Sequence, residues 1–173
     1  MLPLNGPMQP IESWYVKSFE EAMTKTKELI RAGEEGAVLK SMSESFVWRD
    51  EDPSYFQIKL KAEAVCEFVI IDAYEGDSKK KYAGLLGGIT VGSKDGVIVT
   101  NVGGGFSDDQ RKLGVEHWRQ KAGKIVSVKF NGITEPNEFG VRALDHPNLV
   151  EERSDKIEAD SYEHCRDTLV GVI

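Results

Sequence analysis

Apolar positions along the chain change their spacing about a third of the way in. The opening residues MLPLNGPMQPIE, rich in Pro and Gly, predict a loop. Trp14, Tyr15 and Val16 predict a short strand. A helix then starts with Ser18 as N-cap and Glu21 three residues on to close a capping box, places Phe19, Ala22, Met23 and Ile30 on an apolar face, and ends at Gly33. EEGAVLKSM predicts a short strand. After a polar stretch holding Trp48 and Pro53, the alternating YFQIKLK predicts another, with Phe56, Ile58 and Leu60 towards the core.

From Glu63 onward, strands alternate with Gly-rich turns. AVCEFVIIDAY, YAGLLGGITV and GVIVTNV are the first three strands, with Ser93, Lys94, Asp95 and Gly96 as the hairpin between the second and third. A helix begins at Ser107, where Gln110 completes a second capping box, and runs past Leu113 and Trp118 to Gly123. KIVSVKF and GVRALDH supply the fourth and fifth strands. Three strands, a helix and two strands is the order of an OB-fold barrel, so the expected class is mainly β with α (α+β). Residues from Asn148 on are acidic, close with LVGVI and suggest no element. No internal repeat is present.

Composition narrows the setting. With 40% hydrophobic and 29% charged residues the chain reads as a globular protein. It has no apolar run long enough for a membrane helix and no basic-flanked leader, so the cytoplasm is the expected compartment. Cys66 and Cys165 lie far apart and outside any metal-ligand spacing; both are expected to be structural, with neither zinc nor a disulfide. His117, His146 and His164 show no triad or metal spacing either. The net charge of -7 is unevenly spread: residues 57 to 130 carry 12 basic and 9 acidic side chains, while the flanking segments are acidic. A mildly basic middle suits phosphate contact or an ordinary solvated surface equally well.

Three motifs carry candidate chemistry. Glu35 opens the strand Gly36, Ala37, Val38, Leu39, Lys40, with a Gly where a backbone must come close. Lys59 and Lys61, two apart on a strand, project their ammonium groups from one face about 6 to 7 Å apart, which suits an anion held between them. Strict alternation puts Lys40 on the face opposite Glu35. Near the end stand Arg153, Ser154, Asp155 and Lys156. Gly103, Gly104 and Gly105 spell no Walker motif and predict a flexible turn before the helix.

Taken in this order, EGAVLK, the aromatic-flanked KLK and RSDK resemble the fourth, fifth and sixth signature motifs of the covalent nucleotidyltransferases; RxDK points within them to the ATP-dependent DNA ligases, and the loop-rich β domain resembles their bacteriophage and bacterial type. The resemblance implies a partial nucleotidyltransferase (ATP-grasp-like ligase) domain at 1–61 and an OB-fold DNA-binding domain at 62–173. It implies ATP and Mg²⁺ as cofactors and nicked double-stranded DNA as partner, in the sealing that repair, replication and recombination require. Glu35 would hold the metal near the α-phosphate, and Lys59 and Lys61 would contact that phosphate. Lys40 would add to nucleotide binding. Arg153 and Lys156 would orient the pyrophosphate leaving group, positioned by Asp155. Lys79, Lys80 and Lys81, in the loop between the first two barrel strands, and Arg111 and Lys112, with Arg119 and Lys121 near the helix, would meet DNA phosphates.

The resemblance fails at one point. These ligases carry AMP on the lysine of KxDG, and no KxDG exists here; Lys94, Asp95, Gly96 lacks the intervening residue. Nucleophilic catalysis needs that amine, so activity is expected only with an amino-terminal ligase half supplied. The other reading is a non-catalytic DNA-binding OB module with vestigial motifs.

Overall fold

The computed structural model describes residues 11–42 and 57–171. Helix α1 (Phe19–Arg31) forms where its caps require: the Ser18 hydroxyl accepts the Glu21 N–H at 3.1 Å, and the Glu21 carboxylate reaches back to the Lys17 N–H at 2.7 Å. Gly33 adopts φ +94° just beyond its end, a left-handed conformation that costs glycine little. Ala22 and Thr26 are buried, whereas Phe19, expected on the core face, is exposed. Trp14 to Val16 form no strand; Trp14 instead lies against α1, with the Lys25 ammonium 4.8 Å from its ring centroid. Strands β1 (Gly36–Lys40) and β2 (Gln57–Lys61) pair antiparallel, and α1 packs against both. Leu60 is buried but Ile58 is half exposed; Phe56, Trp48 and Pro53 lie outside the described residues.

The larger sheet runs through β3 (Ala64–Glu75), β4 (Leu86–Gly92), β5 (Val99–Val102), β6 (Ile125–Phe130) and β9 (Asn148–Arg153). Its order, β5-β4-β3-β6-β9, is antiparallel throughout, and a parallel bridge between Gly104 and Asn148 joins the two outer strands. This is the OB arrangement, closed at the seam between the third and fifth barrel strands. Gly103 to Gly105 are therefore not merely a flexible turn. A Cβ on Gly104 would stand 2.1 Å from Asn148 Oδ1, and one on Gly105 2.1 Å from the Leu149 carbonyl oxygen, so the seam closes only without side chains there. Cys66, Phe68, Ile70, Ile89, Val128 and Trp118 fill the barrel, with Phe106 edge-on to Trp118 at 5.2 Å between ring centroids.

Three further expectations change. The second capping box holds in both directions, but the helix breaks at Gly114 (φ +81°) into α2 (Asp108–Lys112) and α3 (Gly114–Arg119). GVRALDH does not supply the fifth barrel strand: only β8 (Leu144–Asp145) forms, in a small hairpin with β7 (Gly132–Ile133). That strand is β9, and the acidic tail beyond it forms α4 (Tyr162–Gly171), packed on β3. Just before α4, Asp160 covers the open edge of β3, exchanging backbone and side-chain hydrogen bonds with Glu67, each 2.8 Å.

Candidate functional site

The antiparallel register sets Gly36 opposite Lys61, Val38 opposite Lys59 and Lys40 opposite Gln57. Directly paired residues share a sheet face. Lys40, Lys59 and Lys61 therefore project from one face, and all three are exposed. The Glu35 carboxylate joins them, forming a salt bridge with the Lys61 ammonium. Simple alternation put Lys40 and Glu35 on opposite faces; that expectation fails because Gly36, at φ +145°, interrupts the pleat between them. The same glycine allows the close approach anticipated for it, since a Cβ there would lie 2.1 Å from the Leu60 carbonyl oxygen. Lys61 holds the Glu35 carboxyl below its usual range, and the charges of His146 and Lys59 act in the same direction.

His146 shows no catalytic or metal spacing in the sequence. It sits at φ +50° in the turn between β8 and β9, and its charge acts on the Glu35 carboxyl from there.

At the end of β9, the Arg153 guanidinium binds Asp155 through Nε (2.9 Å) and Nη2 (2.7 Å), while Nη1 donates to Glu67 at 2.6 Å and to the Ser127 hydroxyl at 3.4 Å. Asp155 is held down to about 2, chiefly by its hydrogen bonds with Arg153, whose own proton is bound more tightly in return. Burial and the neighbouring Asp160 carboxyl raise Glu67. Glu67 went unnoticed in the sequence because it lies on β3, remote from RSDK. The Lys156 N–H donates to the Arg153 carbonyl at 3.4 Å. Among the described residues, no hydrogen bond or ion pair joins Arg153 or Lys156 to Glu35, Lys59 or Lys61.

Of the side chains expected to meet DNA, Lys79, Lys80 and Lys81 are exposed in the β3–β4 loop. Lys80 lies 3.7 Å from Asp77, and Lys81 lies 3.6 Å from Asp108. Lys112 is exposed and paired with Asp109. Arg111 departs from the expectation. It is buried, donates to the carbonyls of Leu86, Gly87 and Gly103 at 2.7 to 3.0 Å, and stacks 4.0 Å from the Tyr82 ring centroid. Its guanidinium ties α2 to the barrel and does not face an incoming phosphate. Arg119 and Lys121 pair with Asp72 and Glu152.

The cofactors implied by the motifs fit the face around Glu35 in kind. One exposed carboxylate together with substrate phosphate oxygens suits the hard Mg²⁺ ion. The ammonium groups of Lys40, Lys59 and Lys61 suit the phosphates of ATP. Lys61 would have to share or release Glu35 for both to bind.

A five-stranded barrel with this strand order, seam and interposed helices is an OB fold. Residues 77–138, from the β3–β4 loop through β7, match the family described as DNA ligase OB-like domain. None of the curated proteins compared matches the chain. Among solved structures, one from work on Lig E DNA ligases aligns at 22% identity with a TM-score of 0.63, covering 81% of this chain and 48% of that one. Two described as Pmar-Lig_Pre. and Pmar-Lig_PreS3 align at 22% and 21% identity with TM-scores of 0.62 and 0.61, covering 80% and 79% of this chain. These likenesses show a shared fold. The chain spans 32% of the length of the latter two. No helix among the described residues is long and apolar enough to cross a membrane.

Proposed function

We propose that this chain is the carboxy-terminal part of an ATP-dependent DNA ligase, with residues 1–61 the end of its nucleotidyltransferase domain and 62–173 its DNA-binding OB domain, working in the cytoplasm on nicked duplex DNA. The observation that carries this reading is the face formed by Glu35, Lys59 and Lys61 across β1 and β2, followed in the same chain by an OB barrel whose residues 77–138 match the DNA ligase OB-like domain. A plain binding module has no use for a carboxylate and two lysines arranged to meet a metal-bound phosphate. Lys59 and Lys61 stabilise charge on the α-phosphate, Glu35 supplies a hard oxygen to Mg²⁺, and Arg153 and Lys156 orient the departing pyrophosphate. The nucleophilic lysine comes from an amino-terminal ligase half, in the same or another polypeptide.

A nick-sealing assay with ATP and Mg²⁺ on duplex DNA carrying a 5′-phosphate tests this. Sealing is expected only when an amino-terminal half containing KxDG is added, and Lys59→Ala abolishes it. If neither condition seals while the chain retards nicked DNA in a salt-dependent way, the motifs are relics and the chain is a DNA-binding OB module.

A further inference from the structure

The tail brings together donors that are scattered in the sequence. Asp160, just before α4, and His164, in its first turn, stand over Cys66 on β3. One donor atom from each lies within 4.8 Å of the other two. His164 Nε2 is 3.9 Å from Asp160 Oδ2. Donors on a single zinc ion at about 2.0–2.3 Å are roughly 3.3–3.8 Å from one another, so small side-chain rotations would close this set around an ion. Cys165, adjacent to His164 in the chain, is fully buried.

We propose that Cys66, Asp160 and His164, with solvent as the fourth donor, bind a zinc ion or a divalent transition metal of similar softness, fastening α4 to β3. The donor chemistry selects the metal. Thiolate and imidazole disfavour Mg²⁺ and Ca²⁺, whereas a mixed sulfur, nitrogen and oxygen set suits tetrahedral zinc. Asp160 is already positioned, because its backbone N–H and its Oδ2 both bond to Glu67 on the β3 edge. The His164 side chain is 61% exposed, which leaves the ion a route from solvent. Binding replaces the Cys66 S–H bond with a sulfur–metal bond and releases the proton to water.

The full chain, stripped with a chelator and kept under a non-thiol reductant, is titrated with zinc chloride and separately with cobalt chloride. The expected result is one equivalent bound, a higher thermal midpoint with zinc, and a cobalt spectrum showing sulfur-to-metal charge transfer with tetrahedral d–d bands. His164→Ala, at an exposed position that leaves the fold intact, weakens binding by at least about a hundredfold and removes the zinc-dependent shift without lowering the metal-free midpoint. Cys66→Ser removes the charge-transfer band wherever that variant folds. Substoichiometric binding, equal affinity in the parent and His164→Ala, or a cobalt spectrum without the sulfur band overturns the proposal. So does oxidation of Cys66 and Cys165 to a disulfide in air that zinc does not prevent.

Discussion

Arg153 and Asp155, two residues apart at the end of β9, form a bidentate ion pair in which both carboxylate oxygens accept from the guanidinium, at 2.9 and 2.7 Å. The third nitrogen of the same group holds Glu67. An arginine so occupied cannot also clasp a pyrophosphate. Under the proposed function it must exchange protein carboxylates for phosphate oxygens, an exchange between anions of like chemistry.

The pair sets a pH dependence with a definite sign. Asp155 falls from 3.8 to about 2 in the folded protein. A depressed carboxylate contributes its stability fully above its unfolded value and loses it as pH falls through the folded one. Urea melts of the parent should therefore weaken more steeply between pH 4 and 2 than those of Asp155→Asn, with a constant difference above pH 4.5. Glu67, raised in the fold, acts with the opposite sign in both proteins and, sharing Arg153 with Asp155, reduces the difference without reversing it. Equal slopes for the two proteins would contradict the assignment.

Gly36→Ala should be disproportionately harmful. The new methyl would meet the Leu60 carbonyl oxygen at a φ of +145°, so the β1–β2 pairing must shift. A cost of about 2–3 kcal/mol is expected. It should appear as loss of amide-exchange protection in residues 36–40 and 57–61, while the barrel strands stay protected.

Arg111→Met tests whether this side chain is structural. Removing its donors leaves the carbonyls of Leu86, Gly87 and Gly103 without them, at a cost of about 3 kcal/mol in denaturant melts. The affinity of the remaining folded protein for duplex DNA should not change. A large loss of affinity at unchanged stability would restore the DNA-contact reading.

Replacing Lys79, Lys80 and Lys81 together by Ala should have the reverse profile. All three are exposed, so each change is expected to alter stability by no more than about 0.5 kcal/mol. If each meets a phosphate, the slope of log affinity for nicked duplex against log salt should flatten by about 2–3. An unchanged slope would mark them as ordinary solvated lysines.

How much of this was legible in the sequence depended on the range of the interaction involved. Both helix starts, at Ser18 and Ser107, could be read because capping is settled within three or four residues. The strand pattern that led to the OB fold was readable because β3, β4 and β6 alternate buried and exposed positions or bury nearly all of them. β9 could not be read: only Leu149 of NLVEER is buried, and its pairing partner β6 decides that it is a strand. The single helix expected from Ser107 to Gly123 failed because Gly114 takes a positive φ.

The sequence by itself determined the local elements, the motif residues and the absence of KxDG, since each depends on side chains close along the chain or on residue identity alone. Tertiary structure decided which of those residues meet. It moved Glu35 to the lysine face through Gly36, buried Arg111 under three carbonyls, closed the seam across Gly104 and Gly105, and set Cys66 beside Asp160, His164 and Cys165. Each of these relationships joins residues on different strands or helices, and its geometry is set by sheet register and barrel closure, which are properties of the packed chain and not of any short segment.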